Sequence, residues 1–151
     1  MKVKLNSLEE VDALAVSFVK DVSKKNKHGG AFVVGLQGDL GAGKTAFTKS
    51  VARAFGIKGT ITSPTFVIEK IYELPQSNLP QKETFSHLIH IDAYRLENSR
   101  ELTALGWEDI VKNSENIILL EWPERVADIL PEDIYMMYFN FIDENTREVE
   151  Y

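Results

Sequence analysis

Strand patterns alternating with helix patterns, a glycine-rich turn between a buried-strand pattern and a helix pattern, and a continuous apolar run late in the chain predict an α/β fold. The sheet is expected to be mostly parallel in its centre, with antiparallel additions at its edges. A chain of 151 residues and 17.1 kDa is expected to form one domain over residues 1–151. That length buries enough surface to hold a core without covalent staples. With 44% hydrophobic and 26% charged residues, a mainly disordered chain is excluded.

The elements follow in order. Ser7-Leu8-Glu9-Glu10 has the form of a capping box, in which the Ser hydroxyl and the Glu three residues on satisfy free amides. Leu8, Val11, Ala15, Phe18 and Val22 then fall on one helical face. Lys24, Lys25 and Lys27 suit the negative end of that helix, and Gly29-Gly30 is the expected stop. Phe32-Val33-Val34-Gly35-Leu36 reads as a buried strand. A helix over 44–55 follows the glycine-rich turn, with Phe47, Val51 and Phe55 in one stripe and Gly56 at its end.

Residues 66–72 have the β-branched and aromatic content of a strand, and 74–84, with two prolines, reads as a surface loop. Leu88-Ile89-His90-Ile91-Asp92 is a strand ending in a carboxylate. Asn98 or Ser99 is placed to cap a helix carrying Leu102, Leu105 and Ile110. Ile117-Ile118-Leu119-Leu120 is the unbroken apolar run of a strand covered on both faces. Residues 124–130 fit one short helix. Residues 134–142 and 147–151 fit a closing hairpin around Asp143-Glu144-Asn145-Thr146.

Composition narrows the function classes. A net charge of −6 and a pI near 5.1 argue against unaided binding to DNA, RNA or an anionic membrane. The absence of cysteine excludes disulfides and thiolate zinc sites. Neither 31–36 nor 117–120 is long enough to span a bilayer, and 1–7 lacks an apolar run of signal length, so a cytoplasmic location is expected. His28, His87 and His90 lack metal-ligand spacing, and His90 fits an ordinary strand histidine. Trp107 and Trp122 fit packing anchors, and Lys24-Lys25-Asn26-Lys27 a solvated helix end.

Chemistry enters with Gly38-Asp39-Leu40-Gly41-Ala42-Gly43-Lys44-Thr45, which matches the phosphate-loop pattern G-x-x-x-x-G-K-[ST]. A chance match in a chain this long is about one in two hundred at ordinary residue usage, and the strand before and helix after supply the required context. The glycines let successive N–H groups turn inward as a nest for phosphate oxygens, and the helix N-terminus adds positive charge. Lys44 is placed for the β- and γ-phosphates and Thr45 for Mg²⁺, so the nucleotide contacts are expected from Asp39 through Thr45. The fold expected around such a loop is the three-layer sandwich of P-loop NTPases.

A second carboxylate is needed near the metal. Asp92 and Glu121 both end apolar strands, and pattern alone does not rank them. A guanine-reading [NT]-K-x-D motif is missing, since Asn26-Lys27 is followed by His28-Gly29, which favours ATP over GTP. Ser63-Pro64-Thr65 suits either a rigid turn or a segment whose hydroxyls answer to a γ-phosphate.

Taken together, the phosphate loop, Ser63-Pro64-Thr65-Phe66, His90-Ile91-Asp92-Ala93-Tyr94-Arg95-Leu96 and Glu121-Trp122 resemble the successive signatures of the TsaE (YjeE) family, bacterial ATPases of tRNA threonylcarbamoyladenosine biosynthesis. With Ser7 and Arg147, the resemblance covers essentially the whole chain. It implies that Glu121 is the second Mg²⁺ contact beside Thr45, and that Asp92 orients the attacking water or supports the metal shell. It also implies that Ser63 and Thr65 belong to a switch segment and that Trp122 shapes the site. A slow ATPase is implied, acting with the TsaB–TsaD transferase pair and meeting tRNA only through them. Ala46 and Val11 depart from the family, standing where a second Thr and a Thr are common. Two other readings share the loop: a small-molecule kinase, disfavoured by scattered arginines, and a nucleotide-gated binding module that does not hydrolyse.

Overall fold

The two cleanest apolar runs become neighbouring central strands. In the computed structural model, which describes residues 1–24, 29–75 and 85–151, β2 (Phe32–Gln37) and β5 (Asn116–Glu121) pair in parallel, with Val34 opposite Leu119. β4 (His87–Asp92) runs parallel to β5 on its other side, and β6 (Tyr135–Phe141) parallel to β2. Antiparallel strands extend both sides: β3 (Glu69–Glu73) on β4, β7 (Arg147–Glu150) on β6, and β1 (Lys2–Leu5) on β7. The order across the seven-stranded sheet is β1-β7-β6-β2-β5-β4-β3. The expected α/β architecture is therefore found, with a parallel centre and antiparallel edges.

Helices cover both faces. On one side lie α1 (Leu8–Val22) and α2 (Lys44–Ala54), burying Phe18, Phe47, Val51 and Phe55 with Val34, Leu36, Leu88, Ile117 and Leu119. On the other lie α3 (Ser99–Ala104), α4 (Trp107–Lys112) and a 3₁₀ segment (Pro123–Ile129), over Val33, Ile89, Ile91, Ile118 and Leu120. Because side chains alternate along a strand, Leu88, His90 and Asp92 share the α2 face with Ile117, Leu119 and Glu121. That alternation aims all three polar side chains at the start of α2.

Phe47 is fully buried, with ring centroids 5.6 Å from both Phe18 and Phe139. Phe47→Ala is expected to lower unfolding free energy by about 3–5 kcal/mol, as urea titration would show. A loss under about 1 kcal/mol would mean that the α2–sheet core is not a stability determinant.

Several local expectations need correction. The four-residue strand β1 is absent from the sequence reading; its partner β7 lies at the far end of the chain. Only half the capping box forms: Ser7 Oγ accepts from Glu10 N at 3.3 Å, while Glu10 Oε2 accepts from Asn6 N at 2.6 Å. Leu8 is 67% exposed, and the buried stripe of α1 is Leu14, Ala15, Phe18, Val19 and Val22. The helix is capped at Ser23, so Gly29-Gly30 does not stop it; Lys25, Lys27 and His28 lie outside the described residues.

β3 begins at Glu69 rather than residue 66, because Pro64 O accepts from Val67 N and Ile68 N in a tight turn. Most of 74–84 lies outside the described residues, but Leu74 itself is buried. Asn98 is the cap of α3, in a complete box with Glu101, and Gly106 at φ +89° splits the expected single helix in two. The short helix near 124–130 is 3₁₀ and interrupted at Val126. The closing hairpin forms as expected.

Candidate functional site

The loop between β2 and α2 has two geometric demands that only glycine meets cheaply. Gly43 caps α2 at φ +105°, and a Cβ at Gly38 would collide with the carbonyl of Phe139. The curled backbone brings Lys44 back over the loop, donating to Gly38 O and, at 2.9 Å, to Asp39 O. The Lys44 ammonium also stands 4.3 Å from the Trp122 ring centroid. Burial pushes the Lys44 pKa below the usual lysine range, opposed by the charges of Glu121, Glu124, Asp92 and Asp39. This cation is poorly hydrated and short of anionic hydrogen-bond partners.

The first turn of α2 meets the end of β5. Thr45 Oγ1 lies 2.9 and 3.0 Å from the two carboxylate oxygens of Glu121. Glu121 Oε1 also accepts from His90 Nε2 at 2.8 Å. Beside it, in register across β4 and β5, stands Asp92. Its Oδ2 accepts from Thr65 Oγ1 at 2.7 Å and its Oδ1 from Tyr94 N at 3.0 Å. Ser63 Oγ lies 2.7 Å from Thr65 Oγ1, so the two hydroxyls form a chain ending on Asp92. Both acids are almost fully buried.

The wall of the site is aromatic. Trp122 takes a left-handed backbone (φ +60°, ψ +50°), which turns the chain sharply out of β5 with its N–H on Leu36 O at 3.2 Å. Its ring lies 5.0 Å from Tyr94, and the Arg125 guanidinium stands 5.8 Å from Tyr94 on the outer side. Arg95 stacks instead on Phe66, at 4.6 Å. Phe66 is 84% exposed and belongs to the turn that carries Thr65, where Ile68 has φ +67°.

The resulting cleft has a volume of about 340 Å³ and is lined by Gly43, Lys44, Thr45, Asp92, Glu121 and Trp122 among others. A second cleft of about 380 Å³ shares Gly41, Gly43 and Ala46 with it and opens toward Leu5, Leu8 and Val11. Arg147 closes that side, donating from Nε to Gly41 O at 3.1 Å while its guanidinium covers Phe141.

The structure thus brings together all the residues singled out in sequence: Asp39 to Thr45, Ser63, Thr65, Asp92, Glu121 and Trp122. Sequence reasoning missed three participants. His90 touches Glu121 rather than being an isolated strand histidine; the H-x-D spacing, which sets His90 and Asp92 on one strand face, was the available signal. Tyr94 and Arg147 belong to the stretches that carry the family resemblance, but no role at the site was read from them. Trp107 is a packing anchor, buried with Nε1 on Ile129 O at 3.1 Å.

The donor set suits a hard divalent cation bound with phosphate. No cluster of three metal-binding side chains occurs among the described residues. Mg²⁺ with a nucleotide needs none, since one or two carboxylates and a hydroxyl suffice when phosphates and water fill the shell. Thr45 and Glu121 meet that need. No helix among the described residues is long and apolar enough to cross a membrane.

Comparison with known proteins identifies relatives over nearly the whole chain. The model of the family described as threonylcarbamoyl adenosine biosynthesis protein TsaE matches residues 5–149. The chain is 33% identical to the tRNA threonylcarbamoyladenosine biosynthesis protein TsaE of Rickettsia prowazekii over 144 residues, covering 95% of this chain and 88% of that one. It is 34% identical to the Bacillus subtilis protein of the same name, covering 79% and 68%. The crystal structure of Bacillus subtilis YdiB superposes with a TM-score of 0.71 at 27% identity, covering 99% of this chain and 82% of that one.

Proposed function

Because the chain belongs to the TsaE family, whose members take part in tRNA threonylcarbamoyladenosine biosynthesis, we propose that it is a Mg²⁺-dependent ATPase serving that pathway as a nucleotide switch. The observation that carries this reading is the contact of Thr45 with Glu121 at the mouth of the phosphate loop, with Lys44 and Asp92 on either side. The whole chain then works as one ATPase domain, in the cytoplasm where tRNA is modified.

The residues divide the work. Backbone amides from Asp39 to Thr45 and the N-terminus of α2 cradle the phosphates. Lys44 leaves Gly38 O and Asp39 O for phosphate oxygens, exchanging neutral acceptors for charged ones. Thr45 and Glu121 would hold Mg²⁺, which would supply neutralisation of phosphate charge. Asp92 lies beside Glu121 with a hydroxyl already on it, the place of an oriented water or of a group supporting the metal shell. Trp122 keeps Lys44 over the loop and excludes water from that side. The second cleft, continuous with the first at Gly41 and Gly43, takes the ribose and base. ATP is preferred over GTP because a guanine-reading motif is missing from the sequence.

The switch is the Ser63–Thr65–Asp92 chain. A γ-phosphate competes for the same hydroxyls and so moves the turn bearing Phe66 and Val67, both exposed. That turn is a surface on which the TsaB–TsaD pair can read the nucleotide state, tRNA being met only through the pair. Charge in the transition state is completed by a partner cation, or in cis by Arg95 or Arg125.

Phosphate release from Mg-ATP tests this, measured for the protein alone and with the TsaB–TsaD pair. Slow release that rises with the pair is expected. A rate unchanged by the pair would remove the switch from the scheme. No release in either condition with ATP bound would make the protein a nucleotide-gated binding module instead.

A further inference from the structure

One titratable side chain at the heart of the molecule has no part in the scheme above. His90 is fully buried in the middle of β4, on the face that looks toward α2. Imidazole is a costly occupant of such a place, where Leu88 and the β5 residues opposite are aliphatic. Its ring makes a single polar contact among the described residues: Nε2 to Glu121 Oε1 at 2.8 Å, while Nδ1 has no partner. A carboxylate only accepts, so Nε2 carries the hydrogen and donates.

We infer that His90 is a positioning residue for the Mg²⁺ site: its Nε2–H holds Oε1 of Glu121 and so turns the carboxylate to face Thr45 and the cation. This rests on the reading of Glu121 as a metal contact. Without His90, Glu121 would keep only the Thr45 hydroxyl as a side-chain hydrogen-bond partner among the described residues, and that hydroxyl is itself assigned to the cation. With it, Oε1 is tied to the buried imidazole while both carboxylate oxygens stay within 3.0 Å of Thr45 Oγ1. The order is therefore His90, Glu121, then metal. Such outer partners orient ligands and raise their basicity. The strand register explains why His90 can do this from one step back along β4: the residue pair Asp92–Glu121 is adjacent to it on the same face. Nδ1 has no hydrogen-bond partner, so Glu121 is the one polar group oriented by this buried ring among the described residues.

The test is the affinity of the ADP-saturated protein for Mg²⁺, measured by calorimetry, with ADP affinity in EDTA as the second readout. Glu121→Gln is expected to abolish the Mg²⁺ response. His90→Leu is expected to weaken Mg²⁺ binding by ~10–100-fold, leaving ADP affinity in EDTA unchanged. His90→Gln, whose amide nitrogen reaches the position of Nε2, is expected to keep most of the Mg²⁺ affinity. His90→Asn, whose amide falls short, is expected to lose it. Should His90→Leu fail to fold, the Gln and Asn variants decide, both being polar and differing in reach. Equal loss in these two, or wild-type Mg²⁺ affinity in His90→Leu or His90→Asn, would overturn the inference. An unchanged Mg²⁺ response in Glu121→Gln would instead overturn the metal reading beneath it.

Discussion

Lys44→Ala is expected to weaken Mg-ATP binding by roughly a hundredfold or more, an effect of about 3 kcal/mol from one or two charge-assisted hydrogen bonds. The ammonium lies against Trp122 with two backbone carbonyls as its hydrogen-bond acceptors among the described residues, and burial already pushes its pKa down. Four nearby acids make the cleft unfavourable for a triphosphate unless this cation is present. The fold is expected to survive, because the variant removes a desolvated charge whose hydrogen-bond partners are two loop carbonyls outside the apolar core. Calorimetry with Mg-ATP and a thermal melt on the same sample separate the two effects. Binding within threefold of the wild type would disprove the phosphate role of this loop. Lys44→Arg is no rescue, since a planar guanidinium cannot curl into the turn around Gly38.

The second large effect divides the two acids. Asp92→Asn is expected to reduce phosphate release by ~10²–10⁴-fold while Mg-ATP binding persists, as for loss of a group acting in the transition state. Glu121→Gln is expected to lower both release and the Mg²⁺ dependence of nucleotide binding. The structure motivates the split: Glu121 touches Thr45 and His90, whereas Asp92 touches Thr65 and the Tyr94 amide. Undiminished release in either variant would remove that acid from the mechanism. If Asp92→Asn alone lost Mg²⁺ dependence, the two roles would exchange.

The parts of the fold that were legible in the sequence are those whose cause is local. β2, α2 and β5 follow from apolar runs and helical spacing, and the phosphate loop from contiguous glycines that shape one turn. Where causes are distant, reading failed. β1 is the four residues Lys-Val-Lys-Leu, and only pairing with β7 makes them a strand. The exposed Leu8 looked like a core residue because helical spacing says which residues share a face, not how that face is rotated toward the sheet. The break at Gly106 is a choice between continuing a helix and packing Trp107 under Ile129, which is settled by burial.

The phosphate loop, the α/β class and the family are legible in the residues alone. The loop and the family signatures sit in short contiguous stretches, while the class rests on strand and helix patterns alternating along the chain. Strand pattern did not rank the two acids and the family resemblance favoured Glu121; the contact itself with Thr45 is a product of the tertiary structure. Thr45 and Glu121 are 76 positions apart, and they touch because parallel register places the end of β5 beside the start of α2. The same register put His90 behind Glu121 and Asp92 beside it, and β7 brought Arg147 to Gly41. Side-chain alternation is written locally in each strand; which strand lies next to which depends on free energy summed over the whole core, and no local pattern contains that sum.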